Sequence, residues 1–296
     1  MNSNILTIAF AALLFVGCSN DNQVSFENPD IIKVVAELPG GSRATLTEFE
    51  NGDKMGLYAV EYNGEEVAPV QVSGNYLNNE PLVYQDEEWS SARTLYWSDK
   101  KCDFYGIYPY RELPSLQNVL FEVATDQSTL KGEDALGGYE ASDLMWAKAE
   151  GVSREDGQVN LQYKHLMSRV IVKIERGANY EGELPQDIVV HLYNTATTAK
   201  VDWVTGNLEK YMYSDNKTIT MRQLDGNTFD AIVVPQFIER STPLVEITMQ
   251  GIAYLLEMSM SFRPAMQHII TVTLHTSPVQ EKLEISIDGT IDDWTN

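Results

Sequence analysis

Basic residues are scarce in this chain of 296 residues. It has 21 Lys and Arg against 43 Asp and Glu, which gives a formal net charge of −22 and a sequence pI of about 4.4. A surface with this excess of carboxylates does not neutralise phosphate groups, so the composition argues against nucleic acid as a partner.

The sequence also lacks the short motifs that carry common enzyme chemistry. It has no Gly-x-Ser-x-Gly, no glycine-rich phosphate loop and no dinucleotide fingerprint. None of the four histidines pairs with another at metal-ligand spacing, and they are His165, His191, His268 and His275. We therefore predict no enzyme activity, no cofactor and no metal, and we interpret His165 as a hydrogen-bonded structural residue. A glycosidase built from two distant carboxylates is the alternative that the sequence leaves open.

Only two cysteines are present, and the first follows an apolar run. Residues 5–16 are too few to span a bilayer but have the length of a signal-peptide core. Gly17 before Cys18 resembles the lipobox of bacterial lipoproteins, in which the cysteine is lipidated. This pattern predicts a signal peptide over residues 1–17 and a lipid on Cys18. A buried N-terminal strand ending in an ordinary cysteine is the alternative.

The second cysteine, Cys102, then has no partner for an intrachain disulfide. Its neighbours Lys101 and Asp103 flank a strand-like segment. We expect a packed structural thiol, because the sequence offers no nearby base to activate it.

Short strand-like segments recur about every ten residues, and no long helical period is present. This pattern predicts an all-β chain of two sandwiches. We place a polar tether over residues 18–30, an N-terminal sandwich over 31–157 and a C-terminal sandwich over 158–296. The boundary falls in the polar connector 153–158. The last clear strand is predicted over 283–287.

The side chains of one long segment change their inward phase. Leu161, Tyr163 and His165 share one face of a strand, whereas Val172 and Ile174 share a face at even positions. A side-chain period of two cannot shift in this way without an extra residue or a turn. The sequence therefore predicts a break within residues 166–169, with Val172 and Ile174 inward and Lys173 outward.

Several segments in a fixed order resemble the fimbrillin family, the lipoprotein-derived subunits of type V pili and their stand-alone relatives. After the lipobox cysteine they are residues 41–44 (Gly-Ser-Arg-Ala), 51–58 (Asn-Gly-Asp-Lys-Met-Gly-Leu-Tyr), 96–97, 103–110 (Asp-Phe-Tyr-Gly-Ile-Tyr-Pro-Tyr), 126–128, 142–147 (Ser-Asp-Leu-Met-Trp-Ala), 163–170 (Tyr-Lys-His-Leu-Met-Ser-Arg-Val), 234–236 and 291–294 (Ile-Asp-Asp-Trp).

The resemblance implies two transthyretin-like β-sandwich domains and a subunit displayed on the outer membrane through its lipid anchor. It also implies that an Arg-specific surface protease removes the first strand, after which a strand from another fimbrillin subunit fills the groove. Arg43, beyond the breaker Pro39-Gly40-Gly41, matches the cleavage position. The corresponding plug strand is Ile31, Ile32, Val34, Val35, Ala36 and Leu38.

The candidate donor strand lies at the C-terminal end and contains Leu283, Ile285, Ile287 and Ile291. Because only residues 288–296 follow the predicted last strand, the sequence favours a tip, anchor or minor pilus subunit over a main-shaft subunit. The alternative is a stand-alone outer-membrane lipoprotein that binds a glycan or a host protein through aromatic loops.

Overall fold

The computed structural model describes residues 30–38, 49–132, 135–276 and 285–294. Strands dominate this part of the chain, which confirms the predicted all-β sandwich class. One helix, α1 (Gly138–Ser142), and one 3-10 turn (Arg154–Asp156) interrupt them. No helix within these ranges is long and apolar enough to cross a membrane.

The strands, in chain order, are β1 Val34–Glu37, β2 Lys54–Asn63, β3 Glu66–Val67, β4 Leu77–Gln85, β5 Glu88–Ser91, β6 Cys102–Tyr108, β7 Val119–Glu122, β8 Met145–Val152, β9 Val159–Gln162, β10 Lys164–His165, β11 Ser168–Arg176, β12 Val189–Ala196, β13 Thr198–Asp202, β14 Asn207–Lys210, β15 Asn216–Thr220, β16 Arg222–Asp225, β17 Thr228–Val233, β18 Gln236–Ile238, β19 Pro243–Met249, β20 Ile252–Glu257, β21 Met260–Phe262, β22 Met266–Leu274 and β23 Ile285–Asp293.

The first core lies between a large sheet and a small one. The large sheet has seven strands in the order β10-β8-β6-β2-β4-β5, with β3 on β2, and the small sheet is the parallel pair β1-β9. Every residue of β6 is buried, as a central strand covered on both faces requires. Met55, Leu57 and Phe104 from the large sheet pack with Val34 and Leu161 from the small sheet.

The second core lies between a five-stranded sheet and a four-stranded sheet. Their orders are β16-β17-β11-β22-β23 and β15-β12-β19-β20. The central strand β11 runs antiparallel to β17 and parallel to β22. Val172 and Ile174 of β11 pack with Leu192 of β12 and Ile247 of β19 in one hydrophobic cluster. The β14-β13-β7 and β18-β21 sheets complete the described strands.

The two cores draw on segments from both sides of residue 157. Val159 and Leu161 of β9 belong to the first core. Leu116 and Val123, which flank β7, belong to the second, and β7 pairs with β13. The predicted boundary between residues 157 and 158 therefore stays a prediction, since the packing does not divide the chain at a single point.

The predicted change of phase is confirmed. β10 ends at His165 and β11 begins at Ser168, so the two residues between them carry the shift. Val172 and Ile174 are fully buried, whereas Lys173 is partly exposed.

The prediction that the last strand ends at residue 287 is wrong. β23 runs to Asp293 and pairs with β22 along its whole length, from Ile285 opposite Leu274 to Asp293 opposite Met266. Residues 288–293 are mainly polar and lack the alternation that signals a strand. Pairing with the edge of β22 satisfies their backbone groups without burying apolar side chains.

Candidate functional site

The predicted plug strand lies in the small sheet, with β9 as its one strand neighbour among the described residues. On one face of the strand, Ile32 and Val34 are buried, and Ala36 and Leu38 are partly buried. On the other face, Ile31 is 39% exposed. Backbone bonds fix both ends of β1. The N–H of Ile32 donates to Leu95 O at 2.8 Å, and the N–H of Tyr163 donates to Glu37 O at 2.8 Å.

The edge of β1 away from β9 borders a groove of about 730 Å³. Its opposite wall comes from β4, β5 and the segment after β5, and includes Leu82, Tyr84, Trp89 and Leu95. β5 is itself the outermost strand of the large sheet. Beyond the bonds of residues 30–32 to residues 95–97, this edge has no strand neighbour among the described residues. A strand edge beside a groove that contains apolar side chains is the arrangement that pairs with an added extended segment.

The candidate donor strand β23 is the outermost strand of its sheet and pairs with β22. Ile285 and Ile287 are partly buried against the second core, and Ile291 is 39% exposed. The other side chains of the strand are exposed. Trp294, directly after the strand, differs from all of them because it is only 4% exposed.

Trp294 stacks on His165 at the junction of the two cores. The ring centroids are 3.7 Å apart and the planes differ by 6°. His165 Nδ1 lies 2.8 Å from Asp143 Oδ1, and because an ionised carboxylate accepts, the imidazole donates in this bond. The two rings line a cavity of about 90 Å³, which we call the junction cavity, together with Leu38, Asp53, Tyr108 and Lys131.

The charged groups on one side of the junction cavity are paired. Lys131 Nζ lies 2.7 Å from Asp53 Oδ1 and 3.0 Å from Glu50 Oε2. Burial opposes the charged form of Lys131, but the hydrogen bonds to Asp53 and Glu50 raise its pKa. Burial, followed by the charge of Asp53, raises the pKa of Tyr108 as well, so this phenol stays protonated at neutral pH.

On the other side, the fully buried carboxylate of Asp230 receives two arginines. Arg169 Nη2 and Arg222 Nε each lie 3.0 Å from it. Burial lowers the pKa of Arg222, but the hydrogen bond to Asp230 and the charges of Asp230 and Glu140 together raise it. Arg222 also lies over the ring of Tyr139, at 3.5 Å from the centroid. A buried anion held by two guanidinium groups ties together the neighbouring strands β16, β17 and β11 that contribute the three side chains.

The junction cavity collects residues from the segments whose order resembled a family. Asp53 comes from residues 51–58, Tyr108 from 103–110, Asp143 from 142–147, His165 from 163–170 and Trp294 from 291–294. The site was not predicted, because these segments are far apart in the sequence. Each segment combines one polar or aromatic group with a strand, but nothing in the sequence indicates that they meet.

Two nucleophilic side chains of the described residues, Ser168 and Cys102, have structural settings. No group of three His, Cys, Asp or Glu among them could hold a metal. Ser168, near His165 in sequence, donates its hydroxyl to Arg263 O at 2.6 Å. Cys102 is buried in the first core, and burial, followed by the charge of Glu61, raises its pKa to about 11. The expectation of a packed thiol is therefore confirmed. Cys18, Arg43 and Leu283 lie outside the described residues.

The sheets define an all-β sandwich protein with an open groove beside its first strand. The model of the fimbrillin-like family matches residues 42–294, so the chain belongs to that family. The family comprises fimbrial and cell adhesion proteins and is associated with the cell surface.

Solved structures share the fold. A candidate cell adhesion protein from Bacteroides uniformis is 23% identical with a TM-score of 0.64, over 90% of this chain and 100% of the other. One from Bacteroides ovatus is 16% identical with a TM-score of 0.69, over 90% and 99%. A fimbrial protein from Bacteroides ovatus is 17% identical with a TM-score of 0.53, over 86% and 52%. No curated protein matches the chain.

Proposed function

We propose that the chain is a lipid-anchored fimbrillin of the outer membrane, a structural or adhesive pilus subunit that assembles by strand exchange after an Arg-specific protease removes its first strand. It has no enzyme activity. The observation that carries the proposal is the setting of β1, a strand of four residues that has one strand neighbour in the described part of the chain and a groove along its other edge.

Removal of β1 would create the acceptor that strand exchange needs. The backbone edge of β9 would lose its partners from Val34–Val159 to Glu37–Gln162. The space vacated by Ile32 and Val34 would open the first core to water. An extended segment from another subunit restores both the ladder and the apolar contacts, which is the physical reason for exchange.

β23 supports a donor role for the same chain. It has nine residues, lies at a sheet edge and contains Ile285, Ile287 and Ile291 at alternate spacing. β23 is longer than the predicted last strand, so its length no longer argues against a donor role. In this proposal a subunit accepts at the position of β1 and donates with β23.

Digestion with an Arg-specific protease tests the proposal. We expect cleavage after Arg43, slow loss of the plug because its ladder bonds persist, and then higher oligomers or capture of an added strand peptide. Arg43→Ala and the charge-conserving Arg43→Lys should both stay uncut and monomeric. A clipped protein that remains monomeric and refuses every strand peptide would disprove assembly by strand exchange.

The lipid anchor has a separate test. Cys18→Ala should abolish incorporation of labelled fatty acid and release the protein from membranes, whereas Cys102→Ala should keep both. Unchanged labelling of Cys18→Ala would show that the anchor is assigned to the wrong residue.

One observation favours the second candidate, a stand-alone lipoprotein that binds a glycan or host protein. The β14–β15 loop exposes Met212 and Tyr213 at 77% and 72%, and Tyr211 and Tyr213 pack edge to face at 5.6 Å. Exposed rings of this kind stack on sugars or proteins. Binding to a glycan array that Tyr213→Ala abolishes, by a protein that never oligomerises, would favour this candidate.

A further inference from the structure

The residues that follow the first and the last described strands line the same cavity. Leu38, which follows β1, and Trp294, which follows β23, both line the junction cavity. The proposed plug and the proposed donor strand therefore touch the same small space, although they belong to different cores.

Trp294 is the one fully buried side chain at the end of β23. The strand is outermost in its sheet, and the side chains of residues 288–293 are exposed. Backbone hydrogen bonds to β22 hold β23 along its length, and the stack of Trp294 on His165 holds the residue that follows it. Ladder bonds at a solvent-exposed edge open locally with low free energy, so a buried terminal ring has a large influence on opening.

The segment that carries His165, on which Trp294 stacks, is connected to β1. His165 is two residues after Tyr163, whose N–H donates to Glu37 O at the end of β1. β9, immediately before Tyr163, pairs with β1 along all four residues of that strand. Loss of β1 would remove the ladder partner of β9, which ends three residues before His165, and, with Leu38, one wall of the cavity, while the pairing of His165 with Met145 of β8 would remain.

We propose that Trp294 is a latch that holds β23 on its own chain, and that β1 keeps this latch closed. Loss of β1 weakens the stack of Trp294 on His165 and thereby loosens β23. As a control on assembly this inference rests on the proposed function: a subunit would release its donor strand only after its plug has gone. The coupling itself is a property of the single chain.

Hydrogen exchange of the full chain tests the latch. In Trp294→Ala, the β23 amides that bond to β22 should exchange at least about tenfold faster, while the β11 amides stay protected and report an intact fold. Trp294→Phe keeps a stacking ring and should restore most of the protection. Ile291→Ala, a partly exposed position on the same strand, should change the rates about twofold or less. Equal exchange of β23 in the wild type and Trp294→Ala would overturn the latch.

Two variants of the first strand test the coupling. Leu38→Ala trims the cavity wall, and Val34→Asn loosens the ladder with β9. Each should accelerate exchange in β23, and neither should accelerate it further when Trp294→Ala is already present. Because coupling between two sites is reciprocal, Trp294→Ala should also accelerate exchange in β1. If Leu38→Ala and Val34→Asn accelerate exchange in β1 and β9 while β23 is unchanged, the coupling is wrong.

These outcomes separate the inference from the proposed function. A clipped protein that fails to assemble, in a chain whose exchange rates couple as described, contradicts the pilus role and leaves the latch standing. Assembly after clipping, with β23 exchange independent of β1 and Trp294, contradicts the latch and leaves the pilus role standing.

Discussion

The first and last strands are both sheet edges, but different forces hold them. β1 has four residues and buries Ile32 and Val34 in the first core, while the strand offers β9 only a short parallel ladder. β23 has nine residues in an antiparallel ladder and leaves nearly all of its side chains in solvent. Side-chain burial therefore dominates at the first strand, and backbone pairing with one buried ring dominates at the last.

This difference fits the two roles proposed for the strands. A strand held by apolar contacts leaves an apolar trough behind, which makes a good acceptor. A strand held mainly by backbone bonds can exchange one ladder for another at little cost, because the new partner offers the same bonds. Trp294 is the exception, and for that reason it is the group that a controlled release has to move.

The largest loss of stability is expected from a substitution in β11, the central strand of its sheet. Val172→Asp would bury an unpaired charge in the second core and should lower the free energy of unfolding by about 4 kcal/mol or more. Chemical denaturation measures the change. Lys173→Asp on the outward face is the control and should cost about 1 kcal/mol or less. An unchanged midpoint for Val172→Asp would show that its side chain is not in the core.

Introducing one aspartate into β1 and one into β23 tests the comparison of the two edge strands directly. Val34 is 5% exposed in β1, and Ile291 is 39% exposed in β23. Val34→Asp should therefore destabilise the chain by about 2–3 kcal/mol and Ile291→Asp by about 1 kcal/mol or less. The same denaturation experiment measures both. Equal costs would mean that side-chain burial holds the two strands alike.

Sequence patterns were sufficient for the fold class and for the break near residue 166. Both follow from the period of two, which residues 161–174 display clearly on each side of the break. The end of β23 could not be found in this way, because a polar edge strand has no apolar alternation. The pairing of β1 with β9 could not be found either, since nothing in two strands so far apart in the chain specifies that they meet.

The junction cavity was beyond sequence reasoning for a related reason. Asp53, Asp143, His165 and Trp294 come from separate segments, and each has an ordinary structural explanation alone. Only the topology brings them together, because β10 pairs with β8 and β23 completes the sheet of β11. The assignments of the lipid anchor to Cys18 and of the cleavage site to Arg43 stay predictions.

The smallest expected effect concerns His268, which lies opposite Ile291 in the ladder that holds β23. His268 is fully buried; the N–H of Arg263 donates to its Nε2, and Nδ1 lies 3.3 Å from Arg169 O. Burial lowers the pKa of His268 below its ordinary value of 6.5. The unfolded chain then binds the proton more readily, so this contribution to stability is complete above about pH 6.5 and is lost as the pH falls towards the folded pKa. One proton limits the slope of the unfolding free energy against pH to about 1.4 kcal/mol per pH unit.

In His268→Gln the slope of the unfolding free energy between pH 6.5 and 5 should be shallower by up to this amount, as measured by denaturation at several pH values. At pH 8 the two proteins should differ only by a constant packing cost. Identical slopes would mean that His268 does not contribute to acid sensitivity.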